Sequence, residues 1–386
     1  MQKGSLLVAA VLLGIAAAPV RAQEGIIRIG LFDGVHSFTF SAATDAAVYA
    51  ADGRDVGEVT PRESWRALRG EGDRVTLVDG SRRMSVTGPV QVVPRVPKGG
   101  VSLVYIGSHW YRGTLVIRPG LVAINDVDLE EYLYGVVPAE MAPSWPLEAL
   151  KAQAVAARSY ALANLDDHAS HGYDLTASTD NQCYGGASME HYRTNEAVNA
   201  TRGEVLTYDG RVIPAYYCSA AGGYTDGAET VWLSKPVPYL KPVPDFDQDA
   251  PSYQWQATVP ESQLVADLAR HGISVGEPTS LEPLSRGYSG RVKILRIIGT
   301  RGDKDVSGEN FRYYTGLKSS LFNVAPLRGD SGHLEGFAFA GRGHGHGLGM
   351  SQWGARTLGQ MGYSYEQILE HYYPETELTT QEAALP

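Results

Sequence analysis

Glu140 is the one charged residue in the stretch Val136-Val137-Pro138-Ala139-Glu140-Met141-Ala142-Pro143-Ser144-Trp145-Pro146, which lies between Glu131 and Glu148. A carboxyl among prolines, Met141 and Trp145 loses water, and desolvation disfavours its charged form. The raised pKa that follows is what a general acid needs to work near neutral pH. The same residue also fits a packing role, capping a helix start or pairing with Arg158.

A second segment, Gly341-Arg342-Gly343-His344-Gly345-His346-Gly347-Leu348-Gly349-Met350-Ser351-Gln352-Trp353-Gly354, alternates glycine with polar residues. Its glycines let the backbone approach another group closely. It lacks the spacing of a dinucleotide loop and the Lys-Ser/Thr of a P-loop, which argues against nucleotide binding. His344 and His346 fall on one side of a strand, as paired metal ligands do, but no neighbouring acid or third histidine completes the set. A third segment, Tyr216 to Thr225, holds Ser219. The Gly-x-Ser-x-Gly elbow is absent, so Ser219 reads as a turn hydroxyl rather than a nucleophile.

Only two cysteines occur, Cys183 and Cys218. An even pair in an oxidising compartment predicts one disulfide. Closing that loop of about 35 residues would be worth roughly 3–4 kcal/mol in the chain-entropy model. The competing reading is a zinc site with His168 or His171, weakened by the lack of a close Cys-x-x-Cys pair.

These segments need elements to hold them. The clearest helix runs from Pro146 to Asn164, with Ser144 as expected N-cap and an apolar stripe of Leu147, Leu150, Ala154, Ala157, Ala161, Leu162 and Leu165. A stripe made mostly of alanine implies close packing. Further helices are expected at Ala187–Ala200, Leu264–Ala269, Ser351–Met361 and Ser364–Tyr373, the last with a capping box from Ser364 to Gln367. Glu204–Tyr208 and Arg211–Tyr217 flank Asp209-Gly210, a hairpin signal. From Ile26 to Thr114 the chain reads as short strands: Ile26–Phe32, Ala47–Ala50, Arg74–Val78, Ser85–Val92, Val101–Ile106 and Leu115–Ile117. Arg301-Gly302-Asp303 reads as a turn.

The N-terminus reads as a secretory signal: Lys3, an apolar run from Leu6 to Ala18, and Val20-Arg21-Ala22 as cleavage site. That run is shorter than the ~20 residues a membrane-crossing helix needs, so no stable membrane span is expected after cleavage. Residues 1–22 are therefore expected as a signal peptide, 23–114 as a β-rich N-terminal portion and 115–386 as the domain carrying the chemistry. The 386 residues hold 33 Lys and Arg against 43 Asp and Glu, a net charge of −10. That balance argues against a broad nucleic-acid or anionic-membrane surface. The 22 tyrosines far outnumber 8 phenylalanines and 6 tryptophans, supplying flat faces with polar tips.

Several of these stretches resemble the SpoIID/LytB family. They are Glu131-Tyr132-Leu133 through Leu162, including Pro138-Ala139-Glu140-Met141 and Ala149 to Ala161; Asp180 to Gly186; Tyr217 to Thr225; and Gly343 to Ala355. The resemblance implies an α+β fold, an alanine-rich helix packed on mixed strands around a cleft. It implies a peptidoglycan-directed protein: a lytic transglycosylase, or an enhancer of a cell-wall amidase. Glu140 matches the family's catalytic glutamate. It would protonate the glycosidic oxygen and then take the proton of the C6 hydroxyl, leaving a 1,6-anhydro sugar. Arg158, Tyr160, Tyr217, Ser219, His346 and Gln352 are the expected glycan-binding residues. Clostridial relatives carry zinc near the position of Cys183. Cys218 stands here where many relatives have histidine, which favours a Cys183–Cys218 disulfide over a zinc held by His171, Cys183 and Cys218. No cofactor is then required.

Overall fold

In the computed structural model, residues 25–384 are described, apart from positions 62, 99 and 331. The expected signal peptide lies outside the described residues. Among those described, no helix is long and apolar enough to cross a membrane.

The chain is α+β. Its N-terminal portion builds two sheets. One runs Leu175–Thr176, Ile26–Phe32, Val122–Asp128, Thr114–Arg118, Val90–Pro94, Ala46–Ala50, Asp55–Val59, antiparallel except for the first pair. The other is an antiparallel sheet in the order His109–Arg112, Leu103–Ile106, Ser37–Ala42, Trp65–Arg69, Arg74–Asp79, Arg82–Thr87. The expected strand Ser85–Val92 is two strands in different sheets, with Gly88 at a positive φ of 80° between them.

Strand Val122–Asp128 delivers the chain into helix α1 (Leu129–Glu140), which the sequence reading did not foresee. Asp128 caps it, its side chain accepting from the N–H groups of Glu130 and Glu131. Pro138 lies in its last turn, where the missing N–H costs the helix one backbone bond. Helix α2 (Leu147–Ala163) follows, with Pro146 rather than Ser144 at its N-cap. Alanines 149, 152, 154, 156, 157 and 161 are all fully buried. They let α1, α3 (Tyr192–Ala200), α7 (Gln352–Gln360) and α8 (Tyr365–Tyr372) pack closely round α2. The short helix α4 (Ala228–Val231) follows the Tyr216–Thr225 segment. The capping box at Ser364 is formed as expected. This helical layer and both sheets share one continuous core.

Residues 255–339 bury a second core, with Trp255, Leu264, Leu295, Phe311, Phe322, Phe337 and Phe339 at its centre. Two three-stranded antiparallel sheets surround it. One has Leu334–Gly341 between Trp255–Pro260 and Phe322–Arg328; the other has Val292–Gly299 between Pro278–Arg286 and Gly302–Ser307. Helices α5 (Glu261–Arg270) and α6 (Gly308–Thr315) complete this unit. Its tie to the first core is Arg291, whose fully buried guanidinium donates to the carbonyls of Ala221 and Tyr224. Gly347 lies over that guanidinium, where any Cβ would sit 2.1 Å from Arg291 Cζ. The glycine-rich segment thus owes its composition to close backbone approach, as its spacing suggested.

Candidate active site

Asp209 and Gly210 both take positive φ, making the tight hairpin turn expected of that pair. Pro214 then ends the second strand early, leaving Arg211–Val212, and Tyr217–Cys218 makes a separate parallel pairing with Met350–Ser351. That register sets Tyr217 beside Met350 and Cys218 beside Ser351. Ser351 caps α7 by accepting from the Gly354 N–H, so Gln352 opens the helix one residue from the pairing. Two buried carboxylates hold the following turn: Asp245 accepts from the Ala221 N–H, and Asp247 from those of Gly222 and Gly223. Burial, and next to it repulsion from Asp245, push Asp247 up to about 6.

Glu140, the last residue of α1, projects to this junction. Its Oε1 accepts the Cys183 N–H at 3.0 Å, and its Oε2 accepts from Gln352 Nε2 at 3.1 Å. The Tyr217 hydroxyl and the Cys183 thiol also contact the carboxylate. Tyr217 is itself oriented: Gln182 Nε2 donates to its hydroxyl oxygen at 2.9 Å, which leaves the hydroxyl proton for Glu140. Gln182 in turn accepts from Tyr132 at 3.1 Å and donates to the Ala157 carbonyl at 3.3 Å. Gln352 Nε2 also reaches Gln153 Oε1 at 3.3 Å. Every donor to Glu140 is neutral.

Burial is the largest influence on Glu140 and raises its pKa above the ordinary carboxylate range; the hydrogen bonds from Cys183, Gln352 and Tyr217 offset part of that rise. Its place at a helix C-terminus, where the backbone dipole disfavours further negative charge, acts in the same direction as burial. Among the described residues no hydrogen bond or ion pair joins it to another carboxylate. A half-buried acid that holds its proton and has an open face can deliver it to a bound ether oxygen. Replacing Gln352 by leucine removes a donor that favours the anion, so the pKa of Glu140 must rise further. The expected outcome is an alkaline limb of the pH–activity profile displaced to higher pH, read from initial rates across pH.

Aromatic rings stand beside two of Glu140's partners. Trp353, next to Gln352, meets Trp145 edge-on at 5.0 Å, and Arg356 lies 4.9 Å above the Trp353 ring. Tyr216, next to Tyr217, meets Trp232 at 4.5 Å and His346 at 6.3 Å. Burial lowers the pKa of His346 to about 4, so the ring is neutral and its Nδ1 accepts the Leu348 N–H at 3.0 Å. Such faces suit the apolar sides of sugar rings.

Two of the expected glycan-binding residues, Arg158 and Tyr160, are buried. Arg158 is fully buried on the far side of α2, donating twice to Glu130 and to the carbonyls of Glu204 and Val198, and so reaches no ligand. It pairs with Glu130 rather than Glu140. Tyr160 is buried too, its ring edge-on to Tyr216 at 5.6 Å and its hydroxyl taking Asn181, so it supports the wall from behind. At Ser219 the backbone carbonyl accepts the Trp353 N–H at 3.1 Å.

A further correction concerns sulfur. Cys183 and Cys218 are free. The Cys183 thiol turns to Glu140, whereas Cys218 is buried beneath Gly345, so the expected disulfide is not formed. Nor do these residues fit zinc. His171 is exposed and bound to Asp33, and His168 is bound to Asn181. Burial pushes the thiols of Cys183 and Cys218 up to about 11 and about 12. Among the described residues no three His, Cys, Asp or Glu side chains gather as a metal set. Protein denatured without reductant should therefore take up two alkyl groups from iodoacetamide, counted by intact mass; one disulfide would leave it unlabelled.

Gln153 and Gln182 escaped the sequence reading. The signal for Gln153 was its position: a fully buried amide within an alanine run, its Nε2 without a partner among the described residues.

The model of the SpoIID family, described as Stage II sporulation protein, matches residues 118–208, which include α1, α2 and the loop carrying Cys183. A second model, a domain of unknown function (DUF8618), matches residues 244–349. An uncharacterized protein of Brachyspira hyodysenteriae is 34% identical over 270 residues, covering 68% of this chain and 70% of that one. Stage II sporulation protein D of Bacillus amyloliquefaciens is 32% identical over 289 residues, covering 70% of this chain and 79% of its own. The Amidase enhancer of Bacillus subtilis is 32% identical over 295 residues, with this chain spanning 40% of its length. With Glu140 seated between the matched helices and the glycine-rich segment, the chain belongs to the SpoIID family.

Proposed function

We propose that this protein is a peptidoglycan lytic transglycosylase, working outside the cytoplasm and cleaving the bond between muramic acid and glucosamine with Glu140 as sole acid and base. The observation that carries this reading is a carboxyl raised in pKa, with neutral donors around it and, among the described residues, no carboxylate bonded to it. Glycosidases that use water require two carboxyl groups at a set separation. A transglycosylase needs one. Glu140 gives its proton to the glycosidic oxygen as the C1–O bond breaks. The C6 hydroxyl of the same sugar then bonds to C1 and returns its proton to Glu140. Atoms and charges balance without water, and proximity of the C6 hydroxyl replaces an activated water. Gln352, Tyr217 and the Cys183 N–H steady the carboxylate between the two transfers, while Trp145, Trp353, Tyr216 and Trp232 offer stacking faces.

Digestion of purified cell wall, followed by mass spectrometry of the muropeptides, tests the proposal. The expected products are 1,6-anhydro-ended fragments, one water lighter than reducing ends. A second reading has support of its own, since one relative is named Amidase enhancer. There the protein would bind glycan and stimulate an amidase. Intact glycan after long digestion, together with faster peptide release once an amidase is added, would select it.

A further inference from the structure

The second unit carries a groove that the reaction above does not use. A cavity of about 760 Å³ is lined by Gln254, Gln256, Arg286, Asn323 and Arg342 over Trp255 and Gly341. A second hollow of about 550 Å³ continues from it, sharing Gln256, Asn323 and Ala340. Strand register explains the shape. On the outer face of this sheet, Ala340 of the middle strand lies between Gln256 and Asn323, and Ala338 lies between Thr258 and Ala325. The middle of the sheet is thus floored by methyl groups, with the amides of Gln256 and Asn323 flanking Ala340 and the short side chains of Thr258 and Ala325 flanking Ala338. The result is a trough one strand wide, with side-chain amides at its edges.

Its charge runs against that of the chain. The protein carries a net −10, yet both charged residues lining the cavity are arginines. Among the described residues neither Arg286 nor Arg342 has a carboxylate partner. Arg286 is nonetheless held in place: Nη1 donates to the carbonyls of Gly290 and Phe322 at 2.7 and 3.0 Å, and Nη2 to Asn323 Oδ1 at 3.2 Å. A guanidinium fixed by neutral acceptors keeps its charge uncompensated, ready for an incoming anion. Arg342 and Gly341 begin the glycine-rich segment that ends at Gln352 on Glu140, so groove and cleft are joined by one short stretch of backbone.

We propose that this groove binds an extended peptide with alanine-sized side chains and free carboxylates, namely the stem peptide of peptidoglycan. The alanine floor admits only small side chains, Gln256 and Asn323 face a peptide backbone, and the two arginines take carboxylates. The identity of the peptide rests on the wall-directed reading above; the groove and its charge do not.

The test is calorimetric titration of the full chain carrying Glu140→Gln with a synthetic stem peptide of alanine, γ-linked glutamate, diaminopimelate and D-alanine. Saturable binding is expected, weakened about tenfold or more by adding Arg286→Gln or Arg342→Gln, and likewise by amidating the peptide carboxylates. Ala338→Leu, which fills the floor, should weaken binding with no loss of melting temperature. In an otherwise native chain, Arg286→Gln and Arg342→Gln should leave cleavage of peptide-free glycan unchanged. No saturable binding, while the chain with Glu140 intact still forms anhydro ends, would overturn the inference, as would binding indifferent to both arginines or equal binding of an all-L peptide of the same composition. Peptide binding, while the chain with Glu140 intact forms no anhydro ends, would support the groove and remove the transglycosylase reading, so the two failures are distinguishable.

Discussion

Glu140→Gln should remove nearly all glycan cleavage, a fall of about 10⁴-fold, at the upper end of what a positioned acid and base supplies. The substitution keeps the shape of the side chain and the acceptor for the Cys183 N–H, so glycan binding should persist. Anhydro-ended muropeptides, counted by mass spectrometry, measure the fall, and a melting curve shows that the fold survives. The wild-type pH profile should carry the same residue's signature. Burial raises the Glu140 pKa, so the protonated, competent form extends above the usual carboxylate range and activity declines as pH rises through the raised value. For stability the sign is the same. The native state holds this proton more tightly than the unfolded chain does, so its contribution is full below the unfolded pKa and is lost as pH climbs through the folded one.

Arg158→Met should be the most damaging change to stability, lowering it by about 3–5 kcal/mol, because it leaves Glu130 buried and uncompensated. Both side chains are buried, and the guanidinium donates to both Glu130 oxygens at 2.8 and 2.7 Å while bracing the Val198 and Glu204 carbonyls. The melting temperature should drop by roughly 10 °C. Activity per folded molecule at low temperature should stay near wild type, since nothing in the contact set of Arg158 faces the cleft. A glycan-binding arginine would behave the opposite way, losing kcat/KM with melting unchanged. The double variant Glu130→Leu/Arg158→Met should recover most of the lost stability, since an apolar pair replaces a broken ionic one.

These two predictions mark what could be read from the chain. Glu140 was legible because its oddity is local: one carboxyl among prolines, methionine and tryptophan. Strand Ile26–Phe32, the Asp209-Gly210 turn and the Ser364 capping box were legible for the same reason, each resting on residues within a few positions. Arg158 was not. Its partner stands a helix away at Glu130, and an arginine in an alanine helix carries no mark that separates a ligand contact from a buried pair. Helix α1 was hidden by Pro138, although Asp128 followed by Glu131 is a cap signature that would have revealed its start. The cysteines misled because compartment says whether a disulfide would survive, while Cβ direction decides whether one can form.

The tyrosine surplus divides in the same way. Tyr132, Tyr184, Tyr372 and Tyr373 are buried, and Tyr132 acts only through its hydroxyl on Gln182. Tyr216 and Tyr217 remain half-buried beside Glu140's partners, joined by Trp145, Trp232 and Trp353. Composition could announce the excess of polar-tipped rings, but only the packing of α2 against the Tyr217–Met350 pairing separates those that build the wall from those that face the cleft.

The central claim is that Glu140 serves an internal nucleophile and that no water enters the bond. Digesting peptide-free glycan in heavy-oxygen water reads this directly. Anhydro ends without the label are predicted for the wild-type protein, and neither product for Glu140→Gln. Reducing ends carrying the heavy oxygen would contradict the account, since they would require a water activated at a site that Glu140 and its neutral neighbours do not provide.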